Sequence, residues 1–211
     1  SNPHISPKLG FKDKLIYVLK AAFNNPLIMD KKAVIIFGSG IVNSKSEKGF
    51  YYNRLYDYFL NSNQDKITLI ETSNKFSFNE PKQSRVFYRD SLDMLIWLFS
   101  MLPLVRKSER RVVKGFVEYL KQAGVMYAGI YARNLIKELA KYKVGFFAYS
   151  IFFRVKKPKL IIVEDASYGC LSYIVTAAKD QGIQVVEYQH GYIGLNHPSY
   201  NFNCDNLPED I

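Results

Sequence analysis

Apolar positions change their spacing several times along the chain, and each change marks an element. Residues 11–23 carry Phe11, Leu15, Val18, Leu19 and Ala22 on one helical face, and Asn24-Asn25-Pro26 stops the pattern. A continuous β-rich run at 33–37 (AVIIF) ends in Gly38-Ser39-Gly40, the signature of a central parallel strand feeding a loop. Residues 50–60 (FYYNRLYDYFL) read as a helix and 67–71 (ITLIE) as a second short strand. Residues 91–105 are apolar enough for a buried helix, with Pro103 near its end. From 106 to 121 the faces separate: Val112, Val113, Phe116, Val117 and Leu120 form one stripe, and Lys107, Arg110, Arg111, Lys114 and Lys121 another. Helix resumes over 131–153, with a break expected at Gly145.

The last pattern is the most informative. In KPKLIIVEDASYGCLSYIVTAAKDQGIQVVEYQHGYIGLNHPSY, a buried strand at 160–163 precedes a helix at 171–179, a break at Gly182 and a second buried strand at 184–188. That strand runs directly into Gln189-His190-Gly191. A strand, helix, strand unit of this size builds a parallel sheet, whose ligands bind at the carboxyl ends of the strands. The whole alternation predicts an α/β fold, a Rossmann-like open parallel-sheet sandwich with a helical insertion between the second strand and the last pair. Strands 33–37, 160–163 and 184–188 are expected as neighbouring inner strands, because their apolar runs fit burial on both faces.

Composition narrows the class. The chain of 211 residues is 48% apolar, and no linker-like tract or internal repeat divides it, so residues 1–211 read as one domain. It begins without Met and stops in a polar run, as expected of a piece of something longer. Lys and Arg outnumber Asp and Glu 29 to 19, a net charge of +10 that points to anionic partners. Nucleic acid is not expected among them, since no reader motif is visible. The uncharged runs fall short of the roughly 18 to 20 residues that span a bilayer, so contact with a membrane is expected without a crossing. The basic stripe Lys107, Arg110, Arg111 and Lys114 is either a solvated helix face or a seat for anionic lipid. Cys170 and Cys204 match no metal spacing, and no secretory signal pattern opens the chain, so cytoplasmic residence and no bound metal are expected.

Three places carry candidate chemistry. Gly38-Ser39-Gly40 lacks the third glycine of a dinucleotide fingerprint, because that position is Asn43; the loop of Ser39 and Gly40 is then either a tight strand exit, able to shape an acceptor cleft, or a phosphate cradle. Glu164 and Asp165 end a buried strand, where carboxylates either cap the next helix or reach a sugar hydroxyl. His190 sits where the last strand opens into the cleft and is followed by Gly191, which permits close ligand approach. An imidazole there either holds structure through its hydrogen bonds or serves as a base, since it can take a proton from a hydroxyl near neutral pH without much tuning.

The segment EYQHGYIGLNHPSY resembles the end of the amino-terminal domain in bacterial surface-polysaccharide glycosyltransferases of the GT-B type. Their pattern is E-x-QHG followed by an HPGY-like stretch. The matching positions are Glu187, Gln189, His190, Gly191, His197, Pro198 and Tyr200, with Ser199 in place of the usual glycine. The resemblance implies the acceptor-binding half of a two-domain enzyme, with the carboxyl-terminal donor-binding domain absent from this chain. It implies a nucleotide-sugar donor, a glycan or lipid-linked glycan acceptor, and no required cofactor or metal. His190 would be the catalytic base or a ligand of the donor sugar. Gln189, Gly191, His197 and Tyr200 would shape the substrate site, together with Ser39, Gly40, Glu164 and Asp165. The expected protein is a cytoplasmic glycosyltransferase of capsule or lipopolysaccharide assembly, peripheral at the inner face of the plasma membrane. The alternatives are a polyol-phosphate transferase of the teichoic-acid type and a non-catalytic anion- or membrane-binding scaffold.

Overall fold

A computed structural model describes residues 10–39, 44–74, 76–164 and 171–188. Among them, β1 (Val34–Ser39), β4 (Ile67–Thr72), β5 (Val86–Tyr88), β6 (Leu160–Val163) and β7 (Gln184–Glu187) form one sheet in the order β5-β4-β1-β6-β7. Every pairing in it is parallel. β2 (Ser44–Lys45) and β3 (Tyr51–Tyr52) make a separate antiparallel pair. The helices are α1 (Phe11–Phe23), α2 (Asp57–Ser62), α3 (Asp90–Ser100), α4 (Lys107–Gln122), α5 (Ala128–Lys156) and α6 (Ser172–Asp180). Strand order steps outward from β1 through β4 to β5 and then, on the other side, through β6 to β7. The architecture is therefore Rossmann-like, with the change of direction between β1 and β6.

Alternation along β1 divides the core. Ile35 and Phe37 join Ile70, Phe87, Ile161 and Val163 beneath α3, α5 and α6, where Tyr149, Phe152 and Phe153 complete the packing. Ile36 points the other way, into a smaller cluster with Tyr56, Leu60, Leu69, Val86 and Tyr88. Each such side chain contributes about 1.5–3 kcal/mol when fully buried. Parallel strands need both faces covered, and here α2 with its flanking loops covers the second face.

Several expectations change. Residues 50–60 are not one helix: Tyr51 and Tyr52 pair with β2, and only α2 is helical. β5, three residues long, was too short to stand out as a period, so the helical insertion follows the third strand rather than the second. β7 pairs only with β6 among the described residues and is a parallel edge strand, its residues alternating exposed and half-buried, rather than an inner strand. α3 is not a buried helix: Leu95 is 46% exposed, Trp97 58% and Phe99 52%. Helix α5 runs unbroken through Gly145 for 29 residues, about 44 Å at 1.5 Å per residue. The expected stop at Gly182 is present as a Schellman motif, with φ of 69° at Gly182 and amides of Gly182 and Ile183 bonded to the carbonyls of Lys179 and Ala178.

Candidate functional site

Three neighbouring strands end in polar groups at the point where the sheet changes direction. Gly38 of β1 is paired with Glu71 of β4, and Phe37 is paired with Val163 of β6, so Glu164 follows at the level of Gly38 on the opposite side. Glu71 and Glu164 share the face of Leu69 and Ile162 by the two-residue period of a strand. Both are buried, at 0% and 5% exposure. Between them Gly38 has no side chain, and Tyr56 takes the space; a Cβ on Gly38 would overlap the Tyr56 hydroxyl.

The two carboxylates are held from the β3–α2 connection. Tyr56 donates its hydroxyl to Glu71 Oε1 at 2.8 Å, and Asn53 Nδ2 donates to Glu164 Oε1 at 3.0 Å. Asn53 is fixed in turn: its Oδ1 accepts from the Leu55 amide at 2.9 Å, and its own amide donates to Asp57 Oδ2 at 2.9 Å. Lys82 Nζ meets Glu71 Oε1 at 2.5 Å, both side chains being almost fully buried. Burial first, and then the charges of Glu71 and Glu164, push the Tyr56 hydroxyl far above its ordinary range. It therefore stays a proton donor at any physiological pH. Burial likewise raises the Asp57 carboxyl, against the opposing pull of the Asn53 amide and Lys82.

A second polar group occupies the same end of the sheet near β5. Asp90 Oδ1 accepts from the hydroxyls of Tyr17 at 2.8 Å and Ser73 at 2.5 Å, and its Oδ2 accepts from the Ser73 amide at 3.0 Å. Burial and the Asp90 bond push Tyr17 up to about 12. Asp93, one turn on, meets Arg89 Nε at 3.3 Å and accepts from the Tyr173 hydroxyl at 3.3 Å. Desolvation raises its carboxyl in spite of Arg89, although the side chain remains 29% exposed.

Of the residues singled out from the sequence, Glu164 lies in the first cluster as an acceptor for Asn53. Ser39 is the last residue of β1. Gly40, Asp165, Gln189, His190, Gly191, His197 and Tyr200 lie outside the described residues. The described chain leaves β7 at its carboxyl end, with the Tyr188 amide bonded to the Val163 carbonyl at 2.7 Å, immediately before Gln189-His190-Gly191. Lys107, Arg110, Arg111 and Lys114 are exposed on α4, as a surface role requires. Val117 of the opposite stripe is buried, but Val112 remains 73% and Phe116 47% exposed.

Sequence reasoning missed Asn53, Tyr56, Glu71 and Lys82. A signal existed for Glu71: like Glu164, it is the first acid after an apolar run, within β4 where Glu164 follows β6. Nothing local marked Asn53, which reaches across 111 positions of chain. The cluster is a buried set of donors and acceptors that hold one another at the carboxyl ends of β1, β4 and β6. Among the described residues no group of three or more His, Cys, Asp or Glu side chains is arranged to hold a metal ion, and no helix is long and apolar enough to cross a membrane. No protein-family model, curated protein or solved structure matches this chain.

Proposed function

We propose that this chain is the acceptor-side half of a GT-B-type glycosyltransferase that moves a sugar from a nucleotide-sugar to a surface-polysaccharide or lipid-linked acceptor. The observation that carries this reading is the meeting of β1, β4 and β6 in one fixed polar cluster at the point where strand order reverses, the place where open α/β sheets bind ligands. The chain passes from β7 into Gln189-His190-Gly191 at that same end of the sheet. His190 then serves as the base for the acceptor hydroxyl or as a ligand of the donor sugar. Glu164 and Glu71 set the polarity at the carboxyl ends of β6 and β4. The basic face of α4 keeps the enzyme at an anionic membrane where a lipid-linked acceptor resides.

The test is nucleotide release from a panel of UDP-, GDP- and TDP-linked sugars and CDP-linked polyols by the full-length protein, with and without lipid-linked oligosaccharide. One donor should give acceptor-stimulated release, and His190→Ala should lower it by roughly 10²- to 10⁴-fold, the range for loss of a general base. Release confined to a nucleotide-activated polyol phosphate would reassign the chain to phosphotransfer. No release from any donor, with vesicle binding intact, would replace the enzyme by a scaffold.

A further inference from the structure

An opening between α3 and α5 shares no residue with the polar cluster. A groove of about 660 Å³ runs between α3 and α5 and is almost wholly apolar. Leu95 and Phe99 of α3 face Phe147 and Ile151 of α5, with buried Ile96 and half-buried Ala148 between them. Its volume falls in the roughly 300–1,000 Å³ range of small-molecule sites. Phe147 is 66% and Phe99 52% exposed, so the walls hold apolar surface out of the core at a cost that an occupant would offset. Arg106 and Lys143 stand at one end; Glu109 takes Lys143 Nζ at 2.5 Å, which leaves that mouth with one net positive charge.

Charge selects the occupant. Residues 101–157 hold 13 Lys and Arg against 3 Glu, a net +10, and the rest of the chain holds 16 of each sign. The entire excess charge of the protein therefore lies on the segment that forms α4, α5 and half of the groove. A second copy would bring an equally positive face and be repelled. Nucleic acid would satisfy the charge but offers no hydrocarbon to the groove. An anionic amphiphile supplies both.

We propose that the α3–α5 groove binds one hydrocarbon chain of an anionic membrane lipid, whose head group lies at the Arg106 end beside the basic face of α4. The inference rests on the membrane-surface reading of α4 for the source of the lipid, and on the groove itself for the chain. Two measurements separate them. Calorimetric titration with monomeric dodecyl phosphate, below its micelle concentration, reads the groove without a bilayer. Quenching of Trp97, the single tryptophan and 58% exposed on α3, by vesicles of phosphatidylcholine and chain-brominated phosphatidylglycerol reads the bilayer.

Dodecyl phosphate should bind one-to-one and butyl phosphate should not. Ala148→Phe, which fills the groove, should weaken dodecyl phosphate at least tenfold; Leu95→Gln, on the exposed wall and so safe for folding, should weaken it several-fold. Arg110, Arg111 and Lys114→Glu together should abolish vesicle quenching and leave dodecyl phosphate binding intact. Loss of that last pattern through unchanged vesicle quenching overturns the surface reading alone. Absent or non-saturable dodecyl phosphate binding, equal binding of butyl phosphate, unchanged affinity in both groove variants, or a dimer that shields Trp97 and ignores dodecyl phosphate would each overturn the groove.

Discussion

The ring of Tyr173 lies so close to the backbone of Gly145 that a Cβ on the glycine would stand 2.6 Å from the tyrosine Cδ2. Gly145 thus allows α6 to pack on α5 at the centre of the larger core, where Tyr173 is 3% exposed. Gly145→Ala sets two effects against each other. Alanine gains about 1 kcal/mol of helix propensity, while overpacking costs about 1–3 kcal/mol. The ring contacts involve three ring atoms of a buried side chain that has no room to swing, so the steric cost should win. In a Tyr173→Leu background the same substitution should instead stabilise, by about 1 kcal/mol. Urea denaturation of the four proteins checks the reversal of sign; stabilisation by Gly145→Ala alone would show that the two helices separate freely.

The Lys82–Glu71 pair should behave as a buried ion pair. Removing one partner leaves a charge without its counter-ion, at a cost of about 3–5 kcal/mol, whereas replacing both with neutral groups of similar volume is close to neutral. Glu71→Gln should therefore be severely destabilising, and Glu71→Gln with Lys82→Met should recover at least half of the loss. A cost below about 1 kcal/mol for the single variant would be that of a solvent-exposed pair and would contradict the burial.

Asp57 should give the protein a pH-dependent weakness. Burial raises its carboxyl in the folded state, and its Oδ1 is buried without a hydrogen-bond partner. The folded protein then holds the proton more tightly than the unfolded chain, so the contribution of Asp57 is most favourable below the ordinary carboxylate range and is lost as pH rises through the raised value. Asp57→Asn keeps an acceptor for the Asn53 amide and removes the titration. Its Tm should exceed that of the parent at pH 7, with the gap closing by pH 4. A gap independent of pH would assign the effect to packing.

Charge reversal on α4 tests the surface reading. Each basic side chain near an anionic bilayer contributes about 1 kcal/mol, so Arg110, Arg111 and Lys114→Glu should weaken vesicle co-sedimentation at least about 100-fold. Helix content should be unchanged, because all three side chains are exposed. Unaltered sedimentation would leave a solvated helix face.

Local pattern determined the elements whose information is local. The apolar runs of β1, β4, β6 and β7 were legible because residues buried on one or both faces of a strand read as a simple period. The two faces of α4 and the stop at Gly182 were legible because helical spacing and a positive φ depend on neighbours a few positions away. Tertiary contact decided the rest. β5 is strand only because it pairs with β4, and Tyr51 and Tyr52 only because they pair with β2. Gly145 interrupts nothing because a ring from α6, 28 positions on, occupies the space its side chain would need. The exposure of Phe99 and Phe147 could not follow from their apolarity, which predicts burial without naming what covers them. Asn53 and Glu164 became a pair only when β1, β4 and β6 came into register, since a hydrogen bond across 111 positions of chain is a property of the assembled sheet and of no segment within it.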